Sequence, residues 1–352
     1  VGIAGGIDRF QRRFPPVSIP LAVIYKYGDD QGNYLAAIIS FYAFLGIFPL
    51  LLLATSILGF FLQGSPGLQD QVLNSALSNF PIIGDQLGRP EGLEGSTGAI
   101  VVGSLAATYG AMGLGLAVQN ALHTAWSVPR NSRPNPFLLR LKSLFLLLVA
   151  GVAVLAVSAV SVIGNNTELF GRFDGLGRLF ISSGTVLVTA IVLTYLFRMA
   201  AGRRHRFWSA APGAIVVALL WHSLQYIGAL YVVRVLGSTS SMNQTFGLVL
   251  GLMGLIYLAS MMVVLGIEVN VVMMRKLYPR ALLTPFTDAV DLTEADKRAY
   301  IGYARAQRHK GFQEVTVSFE KLDAPELAPD TELQPDPGLY GPGVVPPVRP
   351  AK

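Results

Sequence analysis

Six stretches of this sequence are free of Asp, Glu, Lys and Arg for long enough to cross a lipid bilayer, and no other feature constrains its fold so tightly. They run between Asp30 and Asp70, Glu94 and Arg130, Lys142 and Glu168, Arg178 and Arg198, Arg206 and Arg234, and Arg234 and Glu268. A helix needs about 20 residues to cross the hydrocarbon core. Composition agrees: of 352 residues 52% are hydrophobic and only 14% charged, and the mean hydropathy is +0.51, far from the balance of a soluble domain.

The expected fold is therefore an all-α membrane protein of six transmembrane helices, placed near residues 33–62, 97–121, 137–163, 179–197, 208–233 and 246–274. An arm at 1–32 precedes this 33–275 membrane domain; a 276–322 segment with a short helix and a disordered, Pro-rich 323–352 tail follow it. The connecting segments alternate in charge. Arg9, Arg12, Arg13 and Lys26 precede the first span, Arg130, Arg133, Arg140 and Lys142 join the second to the third, and Arg198, Arg203, Arg204 and Arg206 join the fourth to the fifth. The opposite loops carry only Arg89, Arg172, Arg178 and Arg234. By the positive-inside rule both termini are expected in the cytoplasm. The net charge of +6 is thus a topology signal first.

Cysteine is absent, which excludes disulfides, thiolate nucleophiles and cysteine metal sites. The opening VGIAGGIDRFQRRF lacks the apolar core of a signal peptide. Ile3, Ile7, Phe10 and Phe14 recur there at helical spacing opposite Arg9, Arg12 and Arg13, which fits a helix on an anionic membrane surface or one packed on the bundle. Leu68, Val72, Leu73, Ala76, Leu77 and Phe80 predict an extracytoplasmic amphipathic helix. In the 276–322 segment, Thr293 with Asp296 three residues on is a capping signal, and Gly311 marks a stop.

Several polar groups lie at membrane depth. Glu268 falls ~33 Å along the last helix counted from Phe246, near the inner boundary, where an ionised carboxylate needs a partner or water. Lys26, Arg140, Arg198 and Arg203 lie at that level. Glu268 either pins the last helix to one of these or takes part in proton or headgroup handling, with Asn270 as an accessory hydrogen-bonding group. Gln119, Asn120 and His123 share one face of the second helix near the same boundary; His222, Gln225 and Tyr226 share one face of the fifth, farther out. Such groups are interhelical hydrogen bonds or points along a polar path. Arg203, Arg204 and Arg206 with Trp208 make a basic, interfacial patch suited to topology and to anionic headgroups.

Pro49 interrupts the apolar run of the first span. A helix over 34–62 would be ~44 Å long, and Pro49 removes a bond to the Leu45 carbonyl, so a bend at 45–48 is expected. Tyr42 lies near that point, and Gly46 gives a neighbour room. Gly110, Gly113 and Gly115 thin the second helix, and Gly247, Gly251 and Gly254 form a stripe in the last; both read as close packing.

The stretches AAIISFYAFLGIFPLLLL, NALHTAW, WSAAPGAIVVALLW and LIYLASMMVVLGIEVNVV together resemble the YihY/BrkB family of bacterial inner-membrane proteins, most closely its YhjD branch. The resemblance implies a role in envelope integrity, through export of a lipid or a lipid-linked glycan. Gly254, Leu255, Ile256 and Tyr257 stand where that family usually has Trp-x-Tyr, and Ile267 stands where it has a small residue. Some members were once labelled ribonuclease BN, but His123, His205, His222 and His309 fall in four separate segments, without the clustered ligands a metal nuclease needs. The expected activity is thus non-enzymatic and cofactor-free, with anionic membrane lipids as partners and no nucleic acid. A scaffold that recruits envelope-assembly proteins is the alternative. Substrate, energy source and oligomeric state are not legible.

Overall fold

The computed structural model describes residues 3–61, 97–164, 176–201, 207–234, 241–285 and 290–319. The described elements are α1 (Ile3–Arg13), α2 (Pro15–Asp29), α3 (Gly32–Phe61), α4 (Thr97–Ala125), a 3-10 turn at Arg130–Ser132, α5 (Pro136–Gly164), α6 (Leu176–Ala201), α7 (Phe207–Arg234), α8 (Ser241–Arg275) and α9 (Glu294–Ala306). Helices α3 to α8 stand at the six charge-free stretches. Among the described residues, α5 (Pro136–Ala153), α6 (Ser183–Ala200), α7 (Phe207–Gly228) and α8 (Val249–Arg275) carry stretches long and apolar enough to cross a membrane, and α3 contributes a shorter one at Gly32–Gly46. The amphipathic segment around Leu68–Phe80, the basic patch of Arg203, Arg204 and Arg206, and the tail after Leu322 lie outside the described residues.

Local chemistry sets the helix ends. Phe14 is extended and Pro15 and Pro16 occupy the first positions of α2, where a missing N–H costs nothing. At Gln31, φ is +56°, a left-handed residue that turns the chain from α2 straight into α3. Ser127 after α4 (φ +46°) and Lys276 after α8 (φ +51°) do the same, and the Leu277 N–H returns to the Val272 carbonyl. Thr293 and Asp296 form a reciprocal capping box at the start of α9, as their spacing predicts.

α8 is the central post: it packs on α7, α3, α2 and α4, while α5 lies against α4 and α6. Small and branched residues fill the seams, among them Ala36, Ala117, Ala121, Ala214, Val264, Ile267, Val271 and Val272. The outer faces are apolar instead, with Phe137, Leu141, Phe145, Leu187, Ile191, Leu219 and Leu250 all exposed. So broad an apolar surface suits hydrocarbon and not water.

Two crossings depend on glycine. A Cβ on Gly110 would lie 2.9 Å from the backbone at Leu45 and Gly46, so α3 and α4 approach as the sequence predicts. A Cβ on Gly213 would strike the Gly266 carbonyl and the Asn270 amide, and one on Gly266 would strike Val217, which locks α7 against α8. Gly254 meets nothing within 4 Å; at that point the stripe in α8 faces open space and is not a packing seam. α3 runs without interruption from Gly32 to Phe61, so Pro49 lies inside a helix and does not end one.

Candidate functional site

The site is built where α2 lies along the inner end of α8. Ser18, Ala22, Val23 and Lys26 are the buried residues of α2, and their spacing puts one stripe against the bundle. The Lys26 ammonium is paired with Asp30, one turn on, and stands 3.6 Å from Glu268 Oε2 on α8. Lys26 is 1% exposed, Asp30 6% and Glu268 0%. Glu268 thus meets the Lys26 ammonium and the Asp30 carboxyl together, in one buried group. Above the ammonium lies the Tyr303 ring of α9, 5.0 Å from Nζ to centroid. Of the four cations at the level of Glu268, Lys26 is therefore the one that meets it: Arg140 and Arg198 are exposed, and Arg203 lies outside the described residues.

A second buried cation, Arg280, sits beside the first. Its guanidinium is paired with Asp296 and reaches Asp29 Oδ2 at 3.1 Å, with the Tyr300 ring 5.5 Å away. Asp296 also accepts the N–H groups of Ala281 and Thr293 at 3.0 Å each and the Thr293 hydroxyl at 2.7 Å. α1 joins through its polar edge: Gln11 Nε2 donates to the Arg280 carbonyl at 2.6 Å, and Asp8 accepts the Leu282 N–H at 2.9 Å. Tyr25 donates to the Leu282 carbonyl, and Tyr303 to Asp29 at 3.2 Å. We call this assembly of α1, α2, residues 276–285 and α9 the polar cap. Ile7, Phe10 and Phe14 are exposed on it, so α1 turns its polar edge inward and its apolar face outward.

Burial dominates the electrostatics of the cap. It pushes the Asp30 carboxyl up from its usual value, with Lys26 opposing. It raises the Tyr303 phenol too, helped by Asp30 and Asp29. At Arg280 burial works against the charged form, but the hydrogen bond with Asp296 and the Asp29 charge outweigh it and hold the guanidinium protonated.

The remaining polar residues divide clearly. Gln119 is buried and donates to Ser143 Oγ and, at 3.1 Å, to the Leu139 carbonyl, tying α4 to α5. Asn120 is exposed and accepts from Arg133 at 3.2 Å, while His123 is half-buried one turn on. Asn270 accepts the Gly213 N–H at 2.7 Å, beside Pro212 in α7. Tyr42 packs its ring on Gly113 and lies 6.1 Å from Tyr109; it is a packing residue of the α3–α4 seam. In α7, His222 Nε2 is buried without a hydrogen bond, Gln225 is half-buried and Tyr226 is 70% exposed on the outer surface. A narrow cleft, with space for a water-sized group, opens between α4, α6, α7 and α8; Trp126, Arg198, Ser209, Ile267 and Asn270 line it.

The sequence singles out Glu268 and Asn270 but not Asp30, Asp29 or Arg280 as buried, nor Asp296 as more than a cap. The one local signal was the four-residue spacing of Lys26 and Asp30, which on a helix brings opposite charges together.

No curated protein and no solved structure matches the chain. The family model described as Virulence factor BrkB matches residues 23–287. That range contains Lys26, Asp30, Glu268 and Arg280 and leaves out α1 and α9. With more than half of its 352 residues matched, the chain belongs to the Virulence factor BrkB family, a family of membrane proteins.

Proposed function

We propose that this chain is a six-span protein of the bacterial inner membrane, of the YhjD branch of its family, with both termini in the cytoplasm, and that it moves or organises envelope lipids. The observation that carries the reading is the group of polar side chains at the cleft between α4, α6, α7 and α8. The cleft itself admits only a water-sized group, so the exposed Arg198 and the half-buried Ser209 on its wall would meet an anionic headgroup from outside, at the inner interface, while the exposed apolar faces of α5 to α7 leave acyl chains in lipid. Arg203, Arg204 and Arg206 extend the positive charge along the chain between α6 and α7. The partners are anionic lipids; the protein performs no covalent chemistry and uses no cofactor.

Translocation of labelled phospholipids in proteoliposomes tests this. Anionic lipids should cross faster than in protein-free vesicles, and Glu268→Gln should slow them at unchanged protein level. A well-folded protein that accelerates no headgroup class would instead favour a scaffold for envelope-assembly proteins. The burial of every member of the Lys26, Asp30 and Glu268 group fits that alternative equally well as a helix pin.

A further inference from the structure

Lys26, Asp30 and Glu268 put two carboxylates on one ammonium in the buried interior between α2 and α8. All three are at most 6% exposed. Asp30 takes the pairing contact, leaving Glu268 at 3.6 Å from the ammonium with two buried oxygens beside the Asp30 carboxyl. An ionised carboxylate left this way would be a net uncompensated charge in a region that cannot solvate it. One proton on the group makes it neutral. We infer that Lys26, Asp30 and Glu268 form a reversible proton-binding site between α2 and α8, with the proton carried on Glu268 and exchanged as α2 moves against α8.

Every neighbouring element bears on that proton. From α2, Lys26 and Asp30 face Glu268, and the Tyr27 phenol faces the same space; Tyr257 of α8 lies beside Tyr27. Tyr303 covers the ammonium from α9, and Arg275 at the end of α8 acts on Asp30. Burial also raises the Asp30 carboxyl, against Lys26 and a hydrogen bond with Glu268. When the proton leaves, a second negative charge faces Asp30 across a single ammonium. The cheapest relief is separation of α2 from α8 and entry of water, which ties proton release to opening of the inner end of the bundle. The inference rests on the transport reading for its use, since it names the driving ion, but the site stands or falls separately.

The test is pH-difference infrared spectroscopy of the full-length protein in lipid nanodiscs, following the carbonyl stretch of a protonated carboxyl group. A band should grow on acidification and be lost in Glu268→Gln. Its midpoint should move to higher pH in Lys26→Gln, where the opposing cation is gone, and to lower pH in Asp30→Asn. If Glu268→Gln does not fold, Glu268→Asp should shift the band instead. A band absent at every pH, or one unchanged across the whole range in which the protein is folded, overturns the proposal: Glu268 is then a fixed pin. Lipid translocation measured with and without a pH gradient separates the two readings. Lipids that move without the band refute the proton site alone; a titrating band without lipid movement refutes the lipid reading alone.

Discussion

Removing the Asp296 carboxylate should loosen the polar cap more than any other single truncation outside the membrane helices. In Asp296→Ala, the buried Arg280 guanidinium keeps only Asp29, at 3.1 Å and 27% exposed, while the Ala281 and Thr293 N–H groups lose their acceptor. Truncating one partner of a buried ion pair costs about 3–5 kcal/mol, and loss of a helix cap about 1 kcal/mol. The same carboxylate does both jobs, so the costs overlap and the expected total is about 4 kcal/mol. At ~1.4 kcal/mol per factor of ten, this is close to a 1,000-fold rise in the opening constant of α9. Hydrogen exchange of the α9 amides reads it directly. Thr293→Ala, which removes the cap and the hydroxyl's contact with the Pro279 carbonyl but leaves Arg280 paired, should accelerate exchange about fivefold. Arg280→Met with Asp296→Leu should recover most of the protection, because no charge is then stranded. An acceleration below tenfold in Asp296→Ala would refute the argument that Arg280 depends on this carboxylate.

Three further outcomes follow from the geometry. Gly213→Ala drives a methyl group into the Gly266 carbonyl and Asn270 and should cost about 1–3 kcal/mol, whereas Asn270→Ala, which strands one backbone N–H, should cost about 1 kcal/mol; thermal inactivation in detergent ranks the two. Because the buried group to which Asp30 belongs holds a proton more tightly when folded, its stabilising contribution is complete below the usual carboxylate value and is lost as pH rises through the raised one. Protection of the α2 amides, taken relative to their intrinsic exchange rate at each pH, should therefore fall toward higher pH, and Asp30→Asn should remove that slope. The absence of cysteine allows single spin labels: at Phe10 and Phe14 they should be reached by oxygen and shielded from a water-soluble relaxant in anionic nanodiscs, with the reverse at Arg13, if the outward face of α1 lies in the membrane surface.

The long helices were legible because their signal is local. A charge-free stretch with the right length leaves few alternatives to a helix, and α3 to α8 begin and end within a few residues of where composition puts them. The α9 start was equally local, since Thr293 and Asp296 are three residues apart and bond each other. Glu268 was legible as an anomaly, a carboxylate in an apolar helix. The cap was not legible, and Arg280 shows why: it stands in a polar stretch that reads as solvated, and its burial depends on Asp29 and Asp296, at opposite ends of the chain. α1 misleads in a related way. Its apolar face looks like the packing face, but its contacts to the protein run through Asp8 and Gln11, because the segment it meets offers a free N–H at Leu282 and a free carbonyl at Arg280, which only polar side chains satisfy.

The wide sequence separations in the cap also impose an order on biogenesis. Asp8 bonds a residue 274 positions later, and Arg280 bonds Asp29 across 251. At about 5–20 residues per second, α1 and α2 wait roughly 14–55 s after leaving the ribosome before their polar partners exist. Throughout that interval Lys26 and Asp30 have each other but not α8, and the amphipathic α1 is free to hold the growing chain at the membrane surface. The arm of α1 and α2, made long before its partners, is thus among the last parts to be locked, and closure of the cap reports that the chain has been made through α9.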